Sequence, residues 1–176
     1  MPAVPRASPV YRNLEMTTML RFLFIFTLGT WVGAGLFVTI VVAQAAFRQL
    51  PTPDLAGAVV GYTLTRLHLM GLAAGIVFLL AMAALGGAAN LARPAAVLVV
   101  LMIALTAASE FGVTPRMAGL REQMVAAHGS IAATPREDSA RQSFGKLHGV
   151  SASLELATLV IGLAALFLTV RDLGQT

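Results

Sequence analysis

The chain contains no cysteine, and only 11% of its 176 residues are charged. The missing cysteine excludes disulfides, zinc–thiolate sites and thiol catalysis. The scarcity of charge excludes a soluble domain, because such domains carry about 25% charged and about 45–50% apolar residues. Here the apolar share is 57% and the mean hydropathy is +0.82. The twelve basic residues are dispersed, so we expect no nucleic-acid partner and infer an integral protein of the lipid bilayer.

Four apolar runs are long enough to cross the hydrocarbon core, which takes about 20 helical residues. They predict an all-α fold, a four-transmembrane-helix bundle that forms a single membrane domain over residues 1–176. The expected spans are 22–47, 58–85, 94–113 and 146–170. A turn is expected around Gly86, Gly87 and Asn90–Pro94, and the third span should stop before Thr114–Pro115.

The only sizeable polar segment is 114–145, between the third and fourth spans. Its first half has apolar residues at helical spacing, at Met117, Leu120, Met124 and Val125, which predicts an amphipathic helix against the membrane surface. A turn near Thr134–Pro135 should separate it from a second short helix that leads into the fourth span.

Basic residues before the first span set the expected orientation. Arg6, Arg12 and Arg21 precede it, which favours cytoplasmic termini in the inner (plasma) membrane, although basic residues at the two ends are nearly balanced. The apolar run of this span exceeds 20 residues, whereas signal-peptide cores have about 7–15, so we expect a retained helix.

Two pairs of glycines occur at the spacing that lets membrane helices approach closely. Gly29 and Gly33 lie in the first span, and Gly71 and Gly75 lie in the second. They predict either packing within the bundle or a contact between two copies of the chain in a homodimer.

Ionisable residues inside apolar spans are costly and normally face the bundle interior in pairs. Antiparallel threading brings five of them to the side of the membrane that carries the 114–145 segment: Arg66, His68, Glu110, His148 and Glu155. Ser151 shares a helical face with His148 and Glu155. We therefore expect a buried polar network in which Arg66 pairs with Glu110 or Glu155.

This cluster allows two interpretations. One is a purely structural network that holds the helices in register. The other is a ligand site in which His68 and His148 face the same interior volume and bind haem, a chlorophyll-type tetrapyrrole or copper. No catalytic motif is present in the sequence, so an enzymatic role is undecided and a non-catalytic one is favoured.

Five short segments resemble one family in the same order along the chain. They are Trp31–Phe37, Phe47–Pro51, Gly57, Thr114–Arg121 and Phe144–Ser151. Together they look like the transmembrane protein 205-like family, a domain of unknown function. That family often has an asparagine shortly after the last segment, where this chain has Glu155.

The first helix is more distantly similar to the copper-resistance D proteins and to a haem-binding protoporphyrinogen oxidase family, whose first-helix histidine is absent here. The nearer resemblance implies a fold and a location more than a biochemical activity. We therefore expect a structural or accessory subunit of a larger respiratory or photosynthetic membrane complex. The alternatives are a haem-, tetrapyrrole- or copper-binding protein, and a small metal-resistance or transport factor.

Overall fold

The structure is a computed structural model that describes residues 9–174, and every regular element in that range is helical. Arg6, which contributed to the expected orientation, lies outside the described residues. Two short π-helical turns, π1 (Val38–Val42) and π2 (Ala108–Val113), interrupt the α-helices. The α-helices are α1 (Pro9–Phe37), α2 (Ala43–Gln49), α3 (Pro53–Leu91), α4 (Pro94–Ala107), α5 (Thr114–His128) and α6 (Ser139–Leu173).

These elements form four long helices, each apolar enough to cross a membrane: Asn13–Gln49, Pro53–Leu91, Pro94–His128 and Ser139–Leu173. The expected all-α, four-helix membrane fold is therefore confirmed. Each long helix has 35 to 39 residues, about 50–60 Å at 1.5 Å per residue. That length exceeds a hydrocarbon core of about 30 Å, so the helices extend beyond it. The residues at which each helix enters the membrane stay predictions.

The four long helices form a ring in which each packs against two neighbours. Helix α1 contacts α3 and α6, and α4 likewise contacts α3 and α6. Because successive helices are joined by short turns, the chain runs up and down, as in antiparallel bundles. Both described ends of the chain therefore lie at the same end of the bundle as the α3–α4 turn, which we call the terminal end. The opposite end, with the α5–α6 turn, is the loop end.

The centre of the bundle is filled by apolar side chains, the largest of which come from α1, α3 and α4. Phe24 of α1 meets Phe78 of α3 edge to face, with ring centroids 5.6 Å apart. Val99 and Met102 of α4 are buried beside them. In lipid such packing stabilises the bundle through close contact rather than through exclusion of water, because the surrounding tails are equally apolar.

The third long helix differs from the expectation. The helix does not stop before Thr114 but continues through π2 and α5 to His128, where Gly129 ends it in a left-handed conformation. A proline within an α-helix collides with the carbonyl four residues earlier, and the residue four before Pro115, Phe111, lies within the wider π2 turn. A helix does occupy the first half of the polar segment, as expected. It extends the third long helix instead of forming a separate surface element, and it packs against α6.

The turn expected near Thr134–Pro135 separates α5 from α6. Helix α6 begins at Ser139, seven residues before the expected span, because the predicted second short helix is its first part. Asp138 caps it by accepting bonds from the backbone N–H groups of Ala140 and Arg141 at 2.8 and 3.1 Å. The bond from Arg141 is the main reason that the pKa of Asp138 lies below its ordinary value.

The turn expected after the second span begins at Gly86 and Gly87, which depart from helical geometry. Gly87 has φ +64°, a conformation that favours glycine. A further helical turn follows up to Leu91, and the Asn90 side chain donates to the carbonyl of Met82 at 3.1 Å. This bond ties the helical turn after the break to the part of α3 before it.

We expect Gly71→Leu to destabilise the protein, whereas Gly33→Leu should have little effect. A Cβ at Gly71 would collide with the indole of Trp31, whereas a Cβ at Gly33 meets nothing within 4 Å. Overpacking of this kind costs about 1–3 kcal/mol or more. Thermal unfolding of the purified protein in detergent, followed by the fluorescence of its only tryptophan, would measure both changes. Equal melting temperatures for the two variants would contradict the close α1–α3 contact.

Candidate functional site

His68 is the centre of a polar cluster buried within the bundle at the loop-end side of its core. It shares a face of α3 with Gly71 and Gly75, at i+3 and i+7, and that face packs against Trp31 of α1. Because this face turns inward, the imidazole is only 5% exposed. The helical period therefore places His68 on the inward face of α3, together with the two glycines.

Both ring nitrogens of His68 contact carboxylates that come from two other helices. Nδ1 lies 2.9 Å from Oε2 of Glu110, and Nε2 lies 3.2 Å from Oε2 of Glu155. The Glu110 side chain is 9% exposed and that of Glu155 is 17% exposed. We call these three residues the Glu–His–Glu network. It joins α3, π2 and α6 through side chains alone.

Helix α1 is the fourth element that packs around this network. A Cβ at Gly35 would come within 3.5 Å of Oε1 of Glu155 and 2.7 Å of the side chain of Leu159. The absence of a side chain at Gly35 therefore leaves room for the Glu155 carboxylate. Trp31, one turn earlier on α1, covers the adjacent part of α3.

The π2 turn carries one of the two carboxylates. Glu110 lies near its middle, and the preceding Ser109 is also buried. Single π-helical turns within α-helices are frequent at functional sites because the wider turn re-aims side chains. This π-helical turn was not predicted from the sequence. A proline five residues after Glu110, Pro115, is the one local feature that indicates a departure from α-helical geometry here.

The net charge of the Glu–His–Glu network depends on how many protons it holds. Each of its two hydrogen bonds needs one proton between a nitrogen and an oxygen. With two protons, the network holds either a histidine cation and two carboxylates, or a neutral histidine, one carboxylic acid and one carboxylate. Both arrangements have a net charge of −1, and one further proton on a free carboxylate oxygen would make the network neutral.

Arg66 takes no part in the network, which corrects the expected pairing with Glu110 or Glu155. Two residues along a helix correspond to about 200° of rotation, so a helix that turns His68 inward turns Arg66 outward. The Arg66 side chain is exposed, and its guanidinium lies over the ring of Tyr62, 5.2 Å from the centroid. The carboxylates are partnered by the histidine instead.

His148 and Ser151 are also not joined to the network. His148 is exposed, and its ring lies parallel to that of Phe144 at 6.5 Å between centroids. Ser151 is half-buried and makes none of the hydrogen bonds of the network. The expectation that His68 and His148 face the same interior volume is therefore corrected, because Glu155, two turns deeper on α6, meets His68.

The geometry around His68 does not fit a haem, chlorophyll-type or copper ligand. A metal needs a lone pair on one imidazole nitrogen, and both nitrogens here are engaged by carboxylates. Within residues 9–174, no group of three or more histidine, aspartate or glutamate side chains is arranged to hold a metal ion.

The two glycine pairs have different surroundings. Gly71 and Gly75 lie inside the bundle, against Trp31 and Ile103. Gly33 is exposed and Gly29 half-buried, and a Cβ added at either position would meet no atom of another element within 4 Å. The second-span pair is thus a packing face within the chain, and the first-span pair faces outward.

Fold and site together define a four-helix membrane protein with a buried Glu–His–Glu network. The chain belongs to the family described as domain of unknown function DUF4149, whose profile matches residues 26–126. The matched range includes His68 and Glu110 and ends before Glu155. No curated protein and no solved structure matches the chain. The resemblances to the transmembrane protein 205-like and copper-resistance D-like families stay predictions.

We expect His68→Leu to be strongly destabilising and Arg66→Met to be nearly neutral. Removing His68 leaves two buried carboxylates without their partner, and breaking a buried pair in this way costs about 3–5 kcal/mol. Arg66 is exposed, and removing such a contact costs about 1 kcal/mol or less. Thermal unfolding in detergent measures both. The triple variant His68→Leu/Glu110→Gln/Glu155→Gln should recover part of the loss, and a larger loss for Arg66→Met than for His68→Leu would contradict the assignment.

Proposed function

We propose that this protein is a non-catalytic structural or accessory subunit of a larger membrane complex, which it joins through the outward face of α1. The supporting observation is the unfilled surface at Gly29 and Gly33, where no side chain of the chain itself lies. Small residues at this spacing let two transmembrane helices bring their backbones together. The face is therefore suited to a helix of another subunit.

The neighbouring residues of α1 support the same proposal. Phe26 and Phe37 share the face with Gly33, at i−7 and i+4, and are 55% and 58% exposed. They border the glycines on both sides along the helix, so the surface is a notch between two aromatic rings. Gly29 and Gly33 lie roughly 12 and 18 Å beyond Arg21 along α1, close to the middle of a core about 30 Å thick. A partner helix would thus be held at the depth where water cannot compete.

The Glu–His–Glu network contributes to this function by closing the bundle on itself. Its hydrogen bonds keep His68, Glu110 and Glu155 partnered inside the chain, away from the outward face of α1. The surface offered to a partner is consequently apolar. A haem-, tetrapyrrole- or copper-binding function, and a metal-resistance or transport function, have less support, because His68 has no free nitrogen for a ligand.

The test is the size of the assembly in native membranes. The double variant Gly29→Leu/Gly33→Leu, expressed at the natural level, should shift from a large complex to the size of the single chain on a native gel in mild detergent. A Cβ at either position meets nothing within 4 Å inside the chain, so the leucines should fill the notch and leave the monomer folded. Ala73→Leu/Ala164→Leu, which adds similar bulk to exposed positions of α3 and α6, is the matched control.

Migration of the wild-type protein as a single chain, or an unchanged complex in the glycine variant, would contradict the proposal. Co-purification of two differently tagged copies would show a homodimer instead. Mass spectrometry of the wild-type complex identifies the other subunits and shows whether they belong to a respiratory or photosynthetic assembly.

We also propose that the protein lies in the inner (plasma) membrane with its terminal end in the cytoplasm, because arginines precede the first span. The chain has no natural cysteine, so single cysteines at Ala92 and Ser139 report the two ends separately. An impermeant thiol reagent should label Ser139→Cys, but not Ala92→Cys, in intact spheroplasts. The opposite pattern would reverse the orientation.

A further inference from the structure

A cavity of about 330 Å³ opens at the terminal end of the bundle, between α1, α3, α4 and α6. It lies at the opposite end of the apolar core from the Glu–His–Glu network. The break of α3 at Gly86 and Gly87 forms part of its wall, and the bond from Asn90 to the Met82 carbonyl holds that wall in place. The broken end of α3 is therefore one of the four elements that form the cavity.

The wall of this cavity is apolar on the side of the core and basic on the side of the helix ends. Phe24, Met82 and Leu85 line the apolar part, while Arg21 and Arg93 line the polar part. Arg21 directly precedes the apolar run of α1, and Arg93 directly precedes α4. Both arginines thus lie at the level where the hydrocarbon core is expected to end.

The two guanidinium groups are available for a ligand. Within residues 9–174, neither the Arg21 nor the Arg93 side chain makes a hydrogen bond or ion pair with protein, although other arginines such as Arg121 do. Asp172 also lines the cavity, but its carboxylate lies 3.5 Å from the neighbouring Arg171. Counting Arg21, Arg93 and Asp172 together leaves a net charge of +1 at the polar part of the wall.

We propose that this cavity binds an anionic phospholipid, with its phosphate between Arg21 and Arg93 and an acyl chain against Phe24 and Met82. Arginine binds phosphate oxygens in a bidentate manner, and two unpaired arginines beside one cavity can hold one phosphate from two sides. A free phosphate ion would satisfy the arginines only. A lipid satisfies the arginines and the apolar wall at once, and basic pockets between transmembrane helices bind anionic headgroups.

The purified full chain in detergent tests this proposal through its thermal unfolding. Added phosphatidylglycerol should raise the melting temperature by about 5 °C at about 100 times its Kd, because a ligand that binds only the folded state stabilises it. Phosphatidylcholine and inorganic phosphate at the same concentration should leave it unchanged. Native mass spectrometry should find one phosphatidylglycerol retained per chain.

The double variant Arg21→Gln/Arg93→Gln should lose both the temperature shift and the retained lipid. Its matched control is Arg48→Gln/Arg116→Gln, which removes the same charge from exposed positions at the loop end. The unfolding temperature of each variant without lipid shows that it is folded. An equal loss in the control, an equal shift with phosphatidylcholine, or a shift reproduced by inorganic phosphate would overturn the lipid site.

Discussion

The strongest constraint on this structure is the free-energy cost of placing an ionisable group in a hydrocarbon environment. Two glutamates and a histidine lie within helices that are otherwise apolar enough to cross a membrane. They are tolerated because each is bonded to another, at 2.9 and 3.2 Å, with the histidine between the carboxylates. Since the three groups belong to three different long helices, this requirement sets the register of α3, π2 and α6 relative to each other.

The apolar packing follows from the same register. Once His68 faces inward, Gly71 and Gly75 face inward as well, and the space that they leave is filled by Trp31 of α1. Gly35, four residues after Trp31, then passes beside Glu155. Helix α1 contributes no ionisable group to the network, but its position depends on that network. A change at the network should therefore be felt in the α1–α3 contact.

Much of this arrangement can be predicted from sequence, since it follows from the length of the spans and from the helical period. Span length and antiparallel threading bring His68, Glu110 and Glu155 to the same side of the membrane, and the helical period turns His68 inward with the glycines. The same period places Arg66 on the outward side of α3. The prediction that Arg66 pairs with a glutamate is wrong because it considered opposite charge but not the direction in which the side chain faces. The continuation of the third helix through Pro115 could not be predicted in this way. It depends on the wider π2 turn, which contacts α6, a helix distant in sequence.

Charged side chains next to lipid are accommodated differently at the two ends of the bundle. At the loop-end side, two carboxylates and a histidine from different helices meet and bond to each other within the protein. At the terminal end, Arg21 and Arg93 meet no acidic partner among residues 9–174, and the broken end of α3 keeps the helices from closing over them. Breaking a buried network destabilises a protein, whereas basic pockets between transmembrane helices can bind anionic lipid headgroups. The protein's own side chains thus close the bundle at one end, and the proposed lipid would complete it at the other.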